Sequence, residues 1–420
     1  VISIKPKQRM NPKNIQFNPL KYPVYVSAKP AGAACNLRCS YCYYLEKEGY
    51  HTAGTPTRMS DELLEKFTEQ YVHAQPGQQA LFTWHGGEPL LLGIDYFRKV
   101  LRYQQPYRRN RQIENVLQTN GTLLNDEWCR FFKENNFLIG LSLDGPEHCH
   151  DRYRTNIGGR GSFAQSMHGL ELLQKHGVDY NILSVVNDYT VQFPTEVYRF
   201  FKSTGSKYIQ FSPVVERVDP SSGSLKAGDS FDGKRTEWSV PALEYGRFLN
   251  EIFDEWVRKD VGETYVITFD ATLAGYVGTA PGVCLYADTC GHAAALDLNG
   301  DLYACDHYVF PEHLLGNIRN KTITEMMLSD QQIQFGNDKR DRLTEACQKC
   351  TYLPLCNGEC PKNRIQHVQG EIYPQNYLCP GLKLYFRHTE PYMRLMAEEI
   401  ANKRPPATIM QLLARPEKNS

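Results

Sequence analysis

The chain has 420 residues, 41% hydrophobic and 22% charged, with Lys plus Arg balancing Asp plus Glu at 47 each. That length supports two or three hydrophobic cores, and the balance excludes the global basic field that draws a protein to nucleic acid or anionic lipid. Every apolar run is too short to span a bilayer and no signal-peptide pattern opens the chain, so a cytoplasmic setting is expected.

Residues 1–9, VISIKPKQR, precede Met10 and are set aside as a non-native leader within an N-terminal segment 1–21. From Tyr22 the chain alternates strand-like and helix-like stretches. YPVYVSAKP alternates apolar and polar residues and runs into a cysteine loop; SDELLEKFTEQYV then has helical apolar spacing, Ser60 as N-cap and acids in its first turn. ALFTW, ENVLQTNG, FLIGLSLDG, DYNILSVV and YIQFSPVV follow as strands. A helical stretch comes after each, the last being PALEYGRFLNEIFDEWV. Six rounds of strand and helix predict an α/β fold with parallel strands and right-handed crossovers, a partial (β/α)6 TIM-like barrel over residues 22–257. In such barrels chemistry gathers where strands end at their C-terminal side. There stand the cysteine loop, HGGEP, TNG and SLDG, and after the sixth strand a polar loop, 213–234. Beyond it, residues 258–380 are rich in turns and cysteines, a segment that needs metal to hold itself together. A helical segment and tail, 381–420, close the chain.

Thirteen cysteines without an export signal argue against a disulfide framework. Cys35, Cys39 and Cys42 stand as C-x3-C-x2-C, with no nearby histidine at ligand spacing, since His51 is nine residues on. Soft thiolates select zinc, copper or iron–sulfur centres. Three of them leave a [4Fe–4S] cluster with one open iron, a position for a substrate or cofactor. Cys129 and Cys149 match no ligand pattern and are read as buried or free thiols. Eight more cysteines lie between 284 and 379, the count for two four-cysteine sites. A local zinc site from Cys347, Cys350, Cys356 and Cys360 is the alternative, but it leaves the other four without a role.

CNLRCSYC resembles the signature loop of radical S-adenosylmethionine (SAM) enzymes, in which SAM chelates the open iron. The resemblance implies that Tyr41 packs by the adenine and that the backbone of Gly86, Gly87 and Glu88 meets the SAM amino group. It also implies that Asn120, Ser142 and Arg154 hold ribose or carboxylate and that His85 is a further polar contact. The later cysteines resemble the SPASM extension of peptide-modifying members. This implies one auxiliary [4Fe–4S] cluster on Cys284, Cys290, Cys305 and Cys360 and another on Cys347, Cys350, Cys356 and Cys379, three clusters in all. Spacing alone leaves that pairing open.

Within this group the cysteine layout, SLDGPEHCHDRYR and Asp306 directly after Cys305 resemble the anaerobic sulfatase-maturating enzymes. Those convert a cysteine or serine in a Cys/Ser-x-Pro/Ala-x-Arg segment of an unfolded or nascent sulfatase to Cα-formylglycine without oxygen. The resemblance implies Asp306 as the base for the thiol or hydroxyl proton, and a flavodoxin or ferredoxin as electron donor. A carboxylate beside an anionic cluster is expected to have raised proton affinity. With no heptad repeat, a monomer is expected. The rival is another SPASM peptide modifier, one forming thioether or other crosslinks. It is disfavoured because so short a segment precedes the first strand. A non-enzymatic iron–sulfur carrier or zinc-stabilised binding protein has no need of an open-cornered trio on a barrel. A Rossmann methyltransferase would need a glycine-rich first turn that the chain lacks.

Overall fold

A computed structural model describes residues 18–44, 47, 57–219, 225–226 and 233–414. The expected leader 1–9, His51 and half of the 213–234 loop (220–224 and 227–232) lie outside the described residues.

The six expected strands are β1 (Tyr25–Lys29), β2 (Gln79–Trp84), β3 (Gln112–Thr119), β4 (Phe137–Ser142), β5 (Tyr180–Val186) and β6 (Tyr208–Pro213). Each pairs in parallel with the next. Between them run α1 (Asp61–Ala74), α2 (Ile94–Gln104), α3 (Asp126–Glu134), the short α4 (Glu147–His150), α5 (Phe163–Lys175) and α6 (Pro194–Ser203). Then comes α7 (Ala242–Lys259). Ser60 caps α1 as its position predicts, its Oγ accepting from Leu63 N–H at 3.2 Å. Ala80, Phe82 and Trp84 alternate inward along β2, and Phe67 of α1 meets the two β2 rings edge-on. Period-two burial on the strand against period-3.6 burial on the helix forms this layer.

The sheet continues beyond the six strands at both edges. The loop after β6 forms a small sheet of β7 (Arg217–Val218), β8 (Leu225–Lys226) and β9 (Lys234–Arg235). After α7, β10 (Tyr265–Val266) adds in parallel to β6. At the other edge β11 (Ala293–Asp297) pairs in parallel with all five residues of β1 and carries β12 (Asp301–Tyr303) and β13 (Leu314–Asn317) in antiparallel order. The 258–380 segment therefore supplies strands to the barrel's own sheet. Covering β1 satisfies an edge whose N–H and C=O groups would otherwise be unpaired. Past β12 the chain leaves the ladder, and Asp306, next to Cys305, pairs with Lys29, the last residue of β1.

The rest of the segment comprises α8 (Ile267–Val277), α9 (Ile323–Met327), α10 (Asp330–Asp341), α11 (Glu345–Gln348) and α12 (Leu353–Cys356). The hairpin β14 (Arg364–Gln366) and β15 (Gln375–Asn376), α13 (Cys379–Ala401) and α14 (Thr408–Ala414) follow. α13 lies directly on α7, backbone to backbone at two glycines. A Cβ on Gly381 would stand 1.8 Å from Ala242 O and one on Gly246 2.3 Å from Gly381 O. Cys379, in the first turn of α13, is thereby fixed to the barrel.

Candidate active site

The cysteine trio sits in the loop after β1. Arg38 N–H donates to Thr155 O at 2.7 Å and Ser40 N–H to Tyr153 O at 3.1 Å, so the stretch after α4 pins the loop from outside. From inside it rests on the glycines after β2. Gly87 N–H donates to Gly32 O and Glu88 N–H to Ala34 O, both at 2.8 Å. Leu37 N–H faces Cys35 Sγ at 3.4 Å. Burial pushes the Cys35 thiol up to about 11 and that of Cys39 to about 12. Each of the three feels another's charge. Thiols in such surroundings ionise against the positive charge of a metal centre, so the donor set fits an iron–sulfur cluster.

The N–H groups of Gly86, Gly87 and Glu88 are all committed within the chain, that of Gly86 to His85 Nδ1 at 2.7 Å. Among the described residues no donor meets the Gly86 or Gly87 carbonyls, which are acceptors suited to an ammonium. The Glu88 side chain is an internal brace. It accepts from Leu90 N–H at 3.0 Å, Thr119 Oγ1 at 2.8 Å and Asn120 N–H at 2.8 Å, and burial lifts its carboxyl to about 7. The brace delivers Asn120 to the trio. Asn120 Nδ2 donates to Asn36 Oδ1 at 2.9 Å and faces Cys35 Sγ at 3.9 Å. Ser142 accepts from Gln118 Nε2 at 2.9 Å on the neighbouring strand.

Arg154 is placed differently from the expected carboxylate grip. Its Nε and Nη2 donate to Asp144 Oδ2 and Oδ1 at 2.9 and 3.1 Å, a bidentate pair with both side chains buried. The same carboxylate accepts from Tyr41 O–H and, at 2.9 Å, from Val185 N–H. The tyrosine ring is thus locked by its hydroxyl, with the Arg154 guanidinium 5.5 Å from its centroid. Asp144, two residues beyond Ser142 in the SLDG stretch, is the anchor of this wall and no motif position points to it. Its signal is an acid two residues beyond an apolar strand.

Behind it stands His150, wholly buried, whose Nδ1 accepts from Asp144 N–H at 3.3 Å while Nε2 meets Ser162 Oγ at 3.0 Å. Protonating Nδ1 would set two donors against each other, and burial first, then Arg154, lowers its pKa to about 3. A histidine whose folded pKa lies below its unfolded value stabilises the fold above about 6.5 and loses that contribution as pH falls towards the folded value. Stability should therefore drop by about 1.4 kcal/mol per pH unit below pH 6 from this group. His150→Gln should flatten that acid limb in thermal unfolding curves measured between pH 7 and 5.

A second polar cluster lies across the trio, at the C-terminal end of β1. Lys29, completely buried, forms an ion pair with Asp306 Oδ1 and donates at 2.9 Å to His85 Nδ1. Tyr43 O–H donates to Asp306 Oδ2 at 2.6 Å. His85 Nδ1, accepting two donors, leaves the proton on Nε2, and burial followed by the Lys29 charge lowers its pKa to about 3. His85, expected as a SAM contact, thus supports the Lys29–Asp306 pair. The Asp306 carboxyl corrects another expectation. Burial alone would raise it, but Lys29, with help from His85 and His307, holds it well below the usual carboxylate range. Lys29 and Tyr43 carry no signal in sequence, one a strand-end lysine and the other the middle of Tyr-Cys-Tyr-Tyr.

Asp306 follows Cys305, and the eight later cysteines form two sets. Cys305 and Cys360 each lie within charge–charge range of Cys284 and Cys290. Cys356 stands in the same relation to Cys379 and Cys347, and Cys379 to Cys347 and Cys350. The second four line one partly open gap together with Lys383 and Phe386. Among the described residues no three His, Cys, Asp or Glu side chains converge tightly enough for a single ion. The local zinc grouping is not what the fold assembles, because Cys360 is drawn to the first set. Lys339 Nζ donates to Cys284 O at 2.6 Å and Leu285 O at 2.8 Å, bringing positive charge to that set. Cys129 and Cys149 are buried in the apolar core, apart from all three groups.

The radical SAM superfamily matches residues 30–200 and the SPASM iron–sulfur cluster-binding domain residues 289–351. A serine-type anaerobic sulfatase-maturating enzyme from Bacteroides thetaiotaomicron is 47% identical over 96% of this chain and 98% of its own length. A cysteine-type enzyme from Clostridium novyi is 31% identical over 89% of this chain and 97% of its own. A solved structure described as native anSMEcpe with bound AdoMet and Cp18Cys peptide superposes with a TM-score of 0.79 at 30% identity. It covers 90% of this chain and 99% of that one. Motif, fold and identity over nearly the whole length agree, and the chain belongs to the anaerobic sulfatase-maturating enzymes of the radical SAM superfamily.

Proposed function

We propose that this chain oxidises a serine within a sulfatase polypeptide to Cα-formylglycine without oxygen. The target lies in a Ser/Cys-x-Pro/Ala-x-Arg segment of an unfolded or nascent chain. Three [4Fe–4S] clusters and SAM serve the reaction, with a flavodoxin or ferredoxin as electron donor and a cytoplasmic monomer as the working form. Serine is favoured over cysteine because the relatives at 47, 36 and 35% identity are serine-type and those at 30–31% cysteine-type.

When bound, the reduced cluster with SAM supplies one-electron chemistry able to remove a hydrogen atom from an unactivated carbon. Turning –CH2OH into –CHO removes one hydrogen atom, one proton and one electron in total. The proton is this chain's task. The observation that carries the reading is Asp306, next to Cys305 and held by Tyr43, which itself follows Cys42. That carboxylate stands between the trio and the first auxiliary set, ionised against Lys29 and able to accept the hydroxyl proton at one oxygen. Cys35, Cys39 and Cys42 would hold the open-cornered cluster, and the wall of Tyr41, Asn120 and Ser142 with the Gly86 and Gly87 carbonyls would hold SAM.

Anaerobically reconstituted, reduced protein given SAM and a sulfatase-derived serine peptide should lower the peptide mass by about 2 Da. The matched cysteine peptide should lose about 18 Da more slowly, with 5′-deoxyadenosine formed in both cases. 5′-Deoxyadenosine with unchanged peptides would leave the radical chemistry standing and refute this substrate.

A further inference from the structure

Beside the Asp306 carboxylate stands a group to which the reaction above gives no work. His307 follows Asp306 in the same 3₁₀ turn, Asp306–Tyr308. Its ring lies 5.3 Å from that of Tyr43, tilted at 42°, and Tyr43 is the residue whose hydroxyl binds Asp306. One tyrosine therefore touches both side chains and keeps them on the same side of the site. Other polar groups around it are paired within the chain: Lys29 to Asp306 and His85, Tyr43 to Asp306, and Lys362 to Glu216. His307 Nδ1, like Tyr44 Oη at the far side of Lys29, is shielded from solvent and without a hydrogen-bond partner among the described residues, and of the two His307 is the one beside the Asp306 carboxylate in the same turn. A buried imidazole nitrogen left unpaired is costly unless something else supplies the partner.

We infer that His307 is the specificity-determining residue for serine over cysteine, its Nδ1–H donating to the substrate's side-chain oxygen while Asp306 accepts the hydroxyl proton. This rests on the proposed function and deepens it. A serine hydroxyl can donate one hydrogen bond and accept two, so it satisfies both side chains at once. A thiol can still give its proton to Asp306, but sulfur is a weak acceptor and leaves His307 unpaired. As the alcohol becomes an aldehyde its oxygen remains an acceptor, so the bond persists through to product. Sites built to hydrogen-bond a substrate oxygen discriminate strongly against an analogue that cannot make the bond. Simple stacking on Tyr43 would instead serve both substrates alike, through the placing of Asp306.

The test compares wild type, His307→Phe and His307→Gln, each reconstituted as the full chain, on serine and cysteine peptides of otherwise identical sequence. Formylglycine is followed by mass spectrometry, 5′-deoxyadenosine by chromatography and peptide affinity by fluorescence anisotropy. In His307→Phe, kcat/KM for the serine peptide should fall about 10- to 100-fold while that for the cysteine peptide changes less than about threefold. The serine peptide should also bind more weakly and 5′-deoxyadenosine formation should uncouple from product. His307→Gln, which keeps a side-chain donor, should recover much of the serine preference. Equal losses on both peptides, or an unchanged ratio, would overturn the inference and leave His307 a support for Tyr43. If His307→Phe loses its iron, His307→Leu, which also lacks a side-chain donor, takes its place and is judged on the same criterion. A wild-type enzyme that modifies neither peptide overturns the proposed function and this inference together. An active wild type with an unchanged serine-to-cysteine ratio in the variant that lacks the donor overturns the inference alone.

Discussion

Replacing Lys29 by methionine should lower formylglycine production by about 10²- to 10³-fold while leaving the iron content near that of wild type. Lys29 is wholly buried and none of its partners is a cysteine. Its ammonium pairs with Asp306, donates to His85 Nδ1 and lies 4.8 Å from the centroid of the Tyr44 ring. Methionine fills similar volume but leaves a partly buried carboxylate beside the auxiliary set with the Tyr43 hydroxyl as its remaining donor. Losing one partner of a fully buried pair costs about 3–5 kcal/mol, chiefly because the survivor's charge is stranded, and the partial exposure of Asp306 makes the cost smaller here. The sign of the pH effect follows. In the wild type the folded Asp306 is held below its unfolded pKa. The pair's contribution is therefore present above about pH 4 and is lost as pH falls through the folded value. In Lys29→Met burial dominates, the folded pKa rises above the unfolded one, and stability falls as pH rises through that interval. The deficit against wild type should be larger at pH 7.5 than at pH 4.5 in thermal unfolding. A deficit that is flat with pH would show that the lysine acts through packing. Lys29→Arg, keeping the charge, should restore the pH dependence more fully than the rate, since a planar fork fits a single-nitrogen site poorly.

The features visible in the sequence are those whose meaning is local. Cys35, Cys39 and Cys42 lie within one loop, and period-two runs separated by helical spacing mark each barrel unit without reference to its partners. β11 is not legible as part of the barrel's sheet, because its pairing with β1 joins residues 293–297 to 25–29 and no local pattern encodes a parallel partner so distant. The same distance hides the function of single polar residues. Glu88, Arg154 and His85 fall at motif positions that point to a ligand, yet the folded chain offers each an internal partner: Asn120 and Thr119, Asp144, and Lys29. A buried ionisable group needs a nearby partner more than a motif needs it at a ligand, since stranding its charge costs several kcal/mol. Lys29, Tyr43 and Asp144 are silent in sequence for the complementary reason. Each is a common residue type at a strand end or in a turn, and only the partner brought by the fold gives it work.

Gly87→Ala should abolish turnover by taking away the trio's cluster while sparing the two auxiliary sets. No positive φ constrains Gly87; the constraint is closeness. A Cβ there would stand 2.0 Å from Ala34 O and 2.7 Å from Ala33 C, where the Gly87 and Glu88 N–H groups tie the approach to the cysteine loop. Backbone cannot yield as a long side chain can, so the methyl must push residues 33 and 34 outward, and Cys35 is the next residue. Overpacking of this kind costs about 1–3 kcal/mol or more, and a shift of about 1 Å at a reacting centre is enough for a 10²-fold loss. Iron per chain should fall by the equivalent of one cluster, SAM should no longer perturb the electron paramagnetic resonance spectrum of the reduced protein, and 5′-deoxyadenosine should vanish along with product. Gly77→Ala is the control, because nothing lies within 4 Å of the place its methyl would take and its φ is ordinary. If Gly87→Ala keeps its full iron and its SAM-dependent spectrum, the two glycines are there for the ligand they face and the close approach is incidental. Loss of the trio's cluster with intact auxiliary signals instead makes the glycine pair part of the cysteine loop's scaffold, which is why its backbone carbonyls, held rigid by that contact, are the atoms left to meet an ammonium.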